Sequence, residues 1–209
     1  MWHALFKSVE QLGLPRQDLG SGGVQIEPSD AVDLRKCGDA PIFLAADVDA
    51  RRPVLQEASS EGAIAGRNAA SFPNVRKNKR AVPLSIMFTD PPLATIGSPP
   101  SHTIVVGSAS YADQGRARIE ARNAGLVRIY ADHENGVLTG ATLFAPGMDH
   151  IAYLFAWAIE RGETAAAVLA LPFYHPTFEE GLKPALRQIC QAVHAPELEH
   201  LDDVAPPGA

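Results

Sequence analysis

Leu126-Val127-Arg128-Ile129-Tyr130-Ala131, then Asn135-Gly136, then Val137 through Phe144: two segments rich in β-branched and aromatic residues flank a turn dipeptide. Both positions of Asn-Gly tolerate positive φ, which makes it the preferred centre of a tight hairpin turn, so the stretch reads as two antiparallel strands. Leu84-Ser85-Ile86-Met87-Phe88 and Ile104-Val105-Val106 are further apolar runs of strand length. Together they predict an antiparallel sheet.

Two helices accompany it. Asp149 to about Arg161 contains Ile151, Ala152, Leu154, Phe155, Ala156, Trp157, Ala158 and Ile159, so apolar groups nearly encircle it. Such a helix needs cover on both sides. A second subunit is one source of the outer cover, and burial within its own chain is the other. Further on, Phe178, Leu182, Ala185, Leu186, Ile189 and Val193 recur at helical spacing. Pro184 lies inside that pattern, where a proline costs about 3 kcal/mol or kinks a helix, so a bend or a late start is expected there.

The N-terminal part has a different character. Ile42-Phe43-Leu44-Ala45-Ala46 suits a buried parallel strand ending in Asp47, and a helix is expected from about Pro53 to Ala70, with Leu55, Ala58, Gly62, Ala65 and Ala69 on its packed face. A carboxylate at the C-terminal end of such a strand lies where open α/β sheets bind ligands, although a loop or cap residue reads the same way. Gly20-Ser21-Gly22-Gly23 precedes an extended segment, Val24-Gln25-Ile26, rather than a helix, and reads as a surface turn. From Ser71 to Arg80 the chain is polar and basic, as a linker would be. The fold class that follows is α+β, with an antiparallel sheet and packed helices at 81–209 preceded by an α/β segment at 1–80.

Composition narrows the function classes. Lys and Arg number 18 against 24 Asp and Glu, a formal net charge of −6. No basic stripe favours nucleic acid, no apolar run approaches the roughly 20 residues that span a bilayer, and the start lacks a signal-peptide core, so the cytoplasm is the default compartment. Cys37 and Cys190 are far apart and in no metal-binding spacing, so they read as free thiols.

Chemistry is suggested at Phe173-Tyr174-His175-Pro176-Thr177-Phe178-Glu179-Glu180. A histidine exchanges protons near neutral pH, and a carboxylate five residues on is placed to orient it. The same residues also fit a capping box, in which the Thr177 hydroxyl accepts from a first-turn amide and Glu180 reaches back to the cap amide. The pattern supports both an acid/base pair and a cap.

Several stretches taken together resemble the C-terminal part of the FAD-dependent pyridine nucleotide–disulfide oxidoreductases, most closely their dihydrolipoamide dehydrogenase branch. Ile42 to Val48 looks like the family's second FAD motif, with Ala46 where glycine is usual. Phe88-Thr89-Asp90-Pro91-Pro92-Leu93-Ala94-Thr95-Ile96-Gly97 resembles the opening of its dimerisation domain. Gly115-Arg116-Ala117-Arg118 and Gly140-Ala141 look like that domain's helix and central hairpin, and His175-Pro176-Thr177 with Glu180 matches its His-Pro-Thr signature and paired glutamate.

The resemblance implies a homodimer and a flavin contact at Ala46, Asp47 and Val48. It also implies that His175 is the base serving the partner's redox disulfide, with Glu180 orienting it and a dithiol such as lipoamide as substrate. FAD and NAD(P) are the cofactors of such enzymes. The chain contains no Gly-x-Gly-x-x-Gly strand–turn–helix unit and no close cysteine pair. The expectation is therefore a C-terminal piece that binds no cofactor by itself and is inactive alone; the alternative is a stand-alone, non-catalytic dimerisation module. The tail from His200 lacks the paired cysteines of mercuric reductases, which argues against mercury chemistry.

Overall fold

A computed structural model describes residues 16–18, 24–26, 41–45, 54–98 and 104–194. The chain forms two compact units, Met1–Arg80 and Ala81–Ala209. In the first, β1 (Arg16–Asp18) pairs antiparallel with β2 (Val24–Ile26). The glycine run expected as a turn falls between them, outside the described residues, as do Ala46, Asp47 and Val48. Of the expected parallel strand, residues 41–45 show one bridge position, at Phe43, and a buried Leu44.

Helix α1 spans Leu55–Ser71. Its packed face differs from the one expected: Leu55 is 85% exposed, while Glu57, Glu61, Ile64, Ala65 and Asn68 are buried. The reason lies in the basic stretch that reads as a linker. Arg80 inserts its guanidinium between Glu57, at 2.8 Å, and Glu61. Farther along, Asn68 Nδ2 donates to the Arg76 carbonyl at 3.1 Å, and the Arg76 amide donates to Asn68 Oδ1 at 3.0 Å. Residues 76–80 thus run back along the helix as a strap, and partners supplied from outside the helix turn its polar face inward. Hydrophobic periodicity could not foresee this, because burying a charge becomes tolerable only when a distant residue pairs with it.

The second unit holds the expected sheet. Its strands are β3 (Leu84–Met87), β4 (Leu93–Gly97), β5 (Ile104–Ser110), β6 (Leu126–Asp132) and β7 (Leu138–Phe144), in the order β3-β4-β7-β6-β5, all antiparallel. Helix α2 (Gly115–Ile119) lies between β5 and β6, and α3 (Met148–Arg161) and α4 (Ala165–Leu169) follow β7. A 3₁₀ turn at Glu179–Leu182 leads into α5 (Lys183–Ala192). Pro184 falls in the first turn of α5, where its missing N–H is not needed. The expected late start is what resolves it.

Strand β4 went unforeseen. Its buried positions are the small Ala94 and Ile96, alternating with exposed or partly exposed Leu93, Thr95 and Gly97, and it pairs in register with β7. The β6–β7 hairpin forms as expected, with a different turn. Asp132 Oδ1 accepts from the amides of Glu134 and Asn135 at 2.9 and 3.2 Å, and within that hairpin loop only Gly136 takes positive φ, 69°. The aspartate therefore organises a four-residue loop in place of the two-residue Asn-Gly turn.

The core lies between the sheet and helices α3, α4 and α5, and is built from Val127, Ile129, Leu143, Ile151, Phe155, Leu186 and Ile189 among others. Helix α5 covers β5, which is an edge strand. Gln188 hydrogen-bonds both backbone groups of Ser108 at 2.9 Å, so at that position the edge has its polar groups engaged. The backbones approach so closely that a Cβ on Gly107 would stand 1.9 Å from the Ala185 carbonyl oxygen. Helix α3 buries Met148, Ile151, Ala152, Phe155 and Ala158 and leaves Tyr153, Leu154 and Trp157 more than half exposed on its outer face. Among the described residues no helix is long and apolar enough to cross a membrane.

Candidate functional site

The segment between α4 and α5 carries His175 and Glu180, and the structure brings the two together: His175 Nδ1 lies 2.9 Å from Glu180 Oε2. The His175–Pro176 peptide is cis. His175 is exposed, its side chain 77% accessible, while that of Glu180 is 21% accessible. A carboxylate can only accept, so Nδ1 carries the shared proton and, in the neutral ring, Nε2 carries the lone pair. That nitrogen is available to a proton donor from outside.

The capping box does not form. The Thr177 hydroxyl donates to the Tyr174 carbonyl at 2.7 Å, and the 3₁₀ turn begins after Phe178 with no side-chain cap. With its first residues in a 3₁₀ turn, the chain sets Glu180 toward His175 instead of toward the amide three residues back. The geometry removes the cap and sets the two side chains in a hydrogen bond.

Two residues that the sequence did not single out hold this segment. Tyr111, fully buried, donates its hydroxyl to the Phe178 carbonyl at 2.9 Å. Burial, and after it the charges of Glu179 and Glu180, push its hydroxyl well above the ordinary tyrosine range, so it is a donor at any physiological pH. Gln114, 8% exposed, is the N-cap of α2: its Oε1 accepts from Ala117 at 2.8 Å, while its Nε2 donates to the Thr177 carbonyl at 2.6 Å and approaches Glu180 Oε1 at 3.4 Å. These contacts bridge 63 to 67 residues of chain. The one local signal is an amide side chain directly before the Gly115-Arg116 helix start.

Other candidates are not assembled. Ala46, Asp47 and Val48 lie outside the described residues, as does Cys37. Cys190 is a free, half-buried thiol on α5, and burial pushes its pKa up, opposite to what an attacking thiolate needs. Among the described residues no group of three His, Cys, Asp or Glu could hold a metal ion.

Comparison with known proteins bears on the second unit and on the chain as a whole. Residues 83–186 match the family model "Pyridine nucleotide-disulphide oxidoreductase, dimerisation domain". The segment belongs to that family. This dimerisation domain has relatives among dihydrolipoyl dehydrogenases: that of Haloferax volcanii is 32% identical over 194 residues, covering 89% of this chain and 39% of the relative. That of Halobacterium salinarum is 30% identical over 188 residues, covering 84% and 39%. Among solved structures, LpdA from Mycobacterium tuberculosis shares the fold at a TM-score of 0.67 and 20% identity, over 87% of this chain and 39% of that one. The chain thus spans about 39% of the length of the curated relatives it matches, and over that span it is similar to dihydrolipoyl dehydrogenases.

Proposed function

We propose that this chain supplies the dimer interface and the acid–base pair of a FAD-dependent, NAD(P)H-linked disulfide oxidoreductase acting on a dithiol such as lipoamide. The observation that carries the reading is the 2.9 Å hydrogen bond between His175 Nδ1 and Glu180 Oε2, with the imidazole otherwise open to solvent. In thiol–disulfide exchange the thiolate attacks, and a base close to the substrate thiol raises its fraction. His175 Nε2 takes the thiol proton; Glu180, bonded to Nδ1, stabilises the imidazolium and returns the ring to one tautomer when the proton leaves. FAD, when bound, supplies two-electron transfer between nicotinamide and disulfide. Its proposed contacts at Ala46, Asp47 and Val48 lie outside the described residues, and the proton transfer rests on His175 and Glu180.

The outer face of α3, with Tyr153, Leu154 and Trp157 exposed, supports the homodimer. In this reading the histidine of one protomer serves the disulfide of its partner, and the chain by itself turns nothing over.

The test is a chimera that joins this chain to the upstream part of the Haloferax volcanii dihydrolipoyl dehydrogenase. NADH-dependent turnover of lipoamide is expected, and His175→Ala is expected to lower it by about a hundredfold or more while flavin absorbance and dimeric mass are unchanged. Turnover that survives His175→Ala would remove the histidine from the mechanism. Turnover by the chain alone would overturn its dependence on the upstream part.

A further inference from the structure

We propose that Gln114 is a positioning residue for the His175–Glu180 pair, tying the glutamate carboxylate to the N-terminus of α2 so that the imidazole keeps its proton on Nδ1 and its lone pair on Nε2. The proposal rests on the acid–base reading above and deepens it.

A carboxamide offers one acceptor atom and two donor hydrogens. At Gln114 each has a definite place: Oε1 receives the Ala117 amide, and Nε2 faces the Thr177 carbonyl and Glu180 Oε1. The opposite orientation would set an NH₂ against the Ala117 N–H and an oxygen against two other oxygens, so the side chain has one orientation, determined by its partners. Glu180 is correspondingly divided, with Oε1 toward Gln114 and Oε2 toward His175. The amide is buried and the imidazole is exposed. The carboxylate is therefore anchored on its inner side by a residue that cannot move without uncapping a helix, and presents its outer oxygen to a ring that otherwise moves in solvent. An exposed His–Glu contact alone is held weakly, since both side chains lose rotamer freedom to make it. Gly181 leaves room for both supports of the segment: a Cβ there would stand 2.8 Å from the Tyr111 hydroxyl and 2.9 Å from Gln114 Cγ.

The helix-capping role and the positioning role are separable. Gln114→Asn keeps a strong N-cap but shortens the arm by one methylene, so it no longer reaches Glu180. Gln114→Met keeps length and apolar volume and removes both functions. The readout is the His175 tautomer in the full chain, measured at alkaline pH from two-bond proton–nitrogen correlations of the carbon-bound ring protons, with the melting temperature recorded beside it. The wild type is expected to show a single Nδ1–H tautomer. Gln114→Asn, which also gives up the bond to the Thr177 carbonyl, is expected to melt a few degrees (~2–5 °C) below wild type and to show a mixture of tautomers; Gln114→Met, which loses the cap as well, is expected to show the same mixture at a still lower melting temperature. A tautomer that stays single in both variants overturns the proposal. So does one that shifts in Gln114→Met and not in Gln114→Asn, because a capping role alone would do that. Should Gln114→Asn fail to fold, Gln114→Met decides, and a single tautomer there again overturns the proposal. Glu180→Ala separates the two levels: a tautomer unmoved by it ends the His–Glu pairing and with it the acid–base reading, whereas a shift in Glu180→Ala without one in either Gln114 variant ends only the role of Gln114.

Discussion

Glu61 and Glu180 are both carboxylates paired with a residue that is cationic or becomes so, and they do opposite things. Glu61 is 2% exposed and shares with Glu57 the guanidinium of Arg80, itself only 10% exposed. Glu180 keeps one oxygen toward buried Gln114 and gives the other to His175, which is 77% exposed. In the first arrangement every charged group is withdrawn from water, and the ion pairs tie the strap to α1. In the second only the anchor is withdrawn, and the imidazole stays in contact with solvent. Burial of the cation is the difference between a clasp and a candidate base.

Breaking the clasp should have the largest effect. Arg80→Ala withdraws the guanidinium that the described residues set between Glu57 and Glu61, and loss of one partner from a buried ion pair costs on the order of 3 kcal/mol. Amide hydrogen exchange along Leu55–Ser71 should accelerate by about two orders of magnitude. Unchanged exchange would mean that the strap is held by other contacts.

A middle-sized effect belongs to Tyr111, which is buried like Glu61 but supports the segment that carries Glu180. Tyr111→Phe should cost about 1 kcal/mol at neutral pH, the worth of the bond to the Phe178 carbonyl. It should also alter the alkaline limb of stability. The folded tyrosine keeps its proton to a higher pH than the unfolded one, so its contribution is complete below about pH 10, where the unfolded chain ionises, and is lost as pH rises above that. In denaturation curves above pH 10 the wild type should lose ~1.4 kcal/mol per pH unit more than the variant. Parallel curves would refute the elevated ionisation.

The smallest effect should come from the site itself. Glu180→Gln touches a pair whose histidine is solvated, and its effect on unfolding free energy should stay below ~0.5 kcal/mol. A loss comparable to that of Arg80→Ala would show Glu180 to be a structural residue and erase the contrast with Glu61.

Legibility followed the range of the interactions. The β6–β7 hairpin, the apolar ring around α3 and the late start of α5 at Pro184 are set by neighbours in sequence, through side-chain alternation, helical period and a proline that cannot donate. Strand β4 escaped because its inward positions include Ala94, too small to mark a strand, and because two prolines precede it. The turn escaped because Asp132, which the structure adds to the end of β6, organises it. At the candidate site the His175–Glu180 spacing was readable, but whether the glutamate caps a helix or meets the histidine depends on how the chain enters α5.

The amino-acid order alone determined strands β3, β5, β6 and β7, the long helices and the five-residue interval from His175 to Glu180, because those depend on periodicity and local backbone preference. Only the tertiary structure decided which face of α1 is buried, since that required Arg80 to return to Glu57 and Glu61. It alone decided that Glu180 faces the imidazole, since Tyr111 and Gln114 come from more than 60 residues away. Hydrogen bonds and ion pairs between distant side chains carry no periodic signature in the sequence; they exist only once the backbone has brought both partners within about 3 Å.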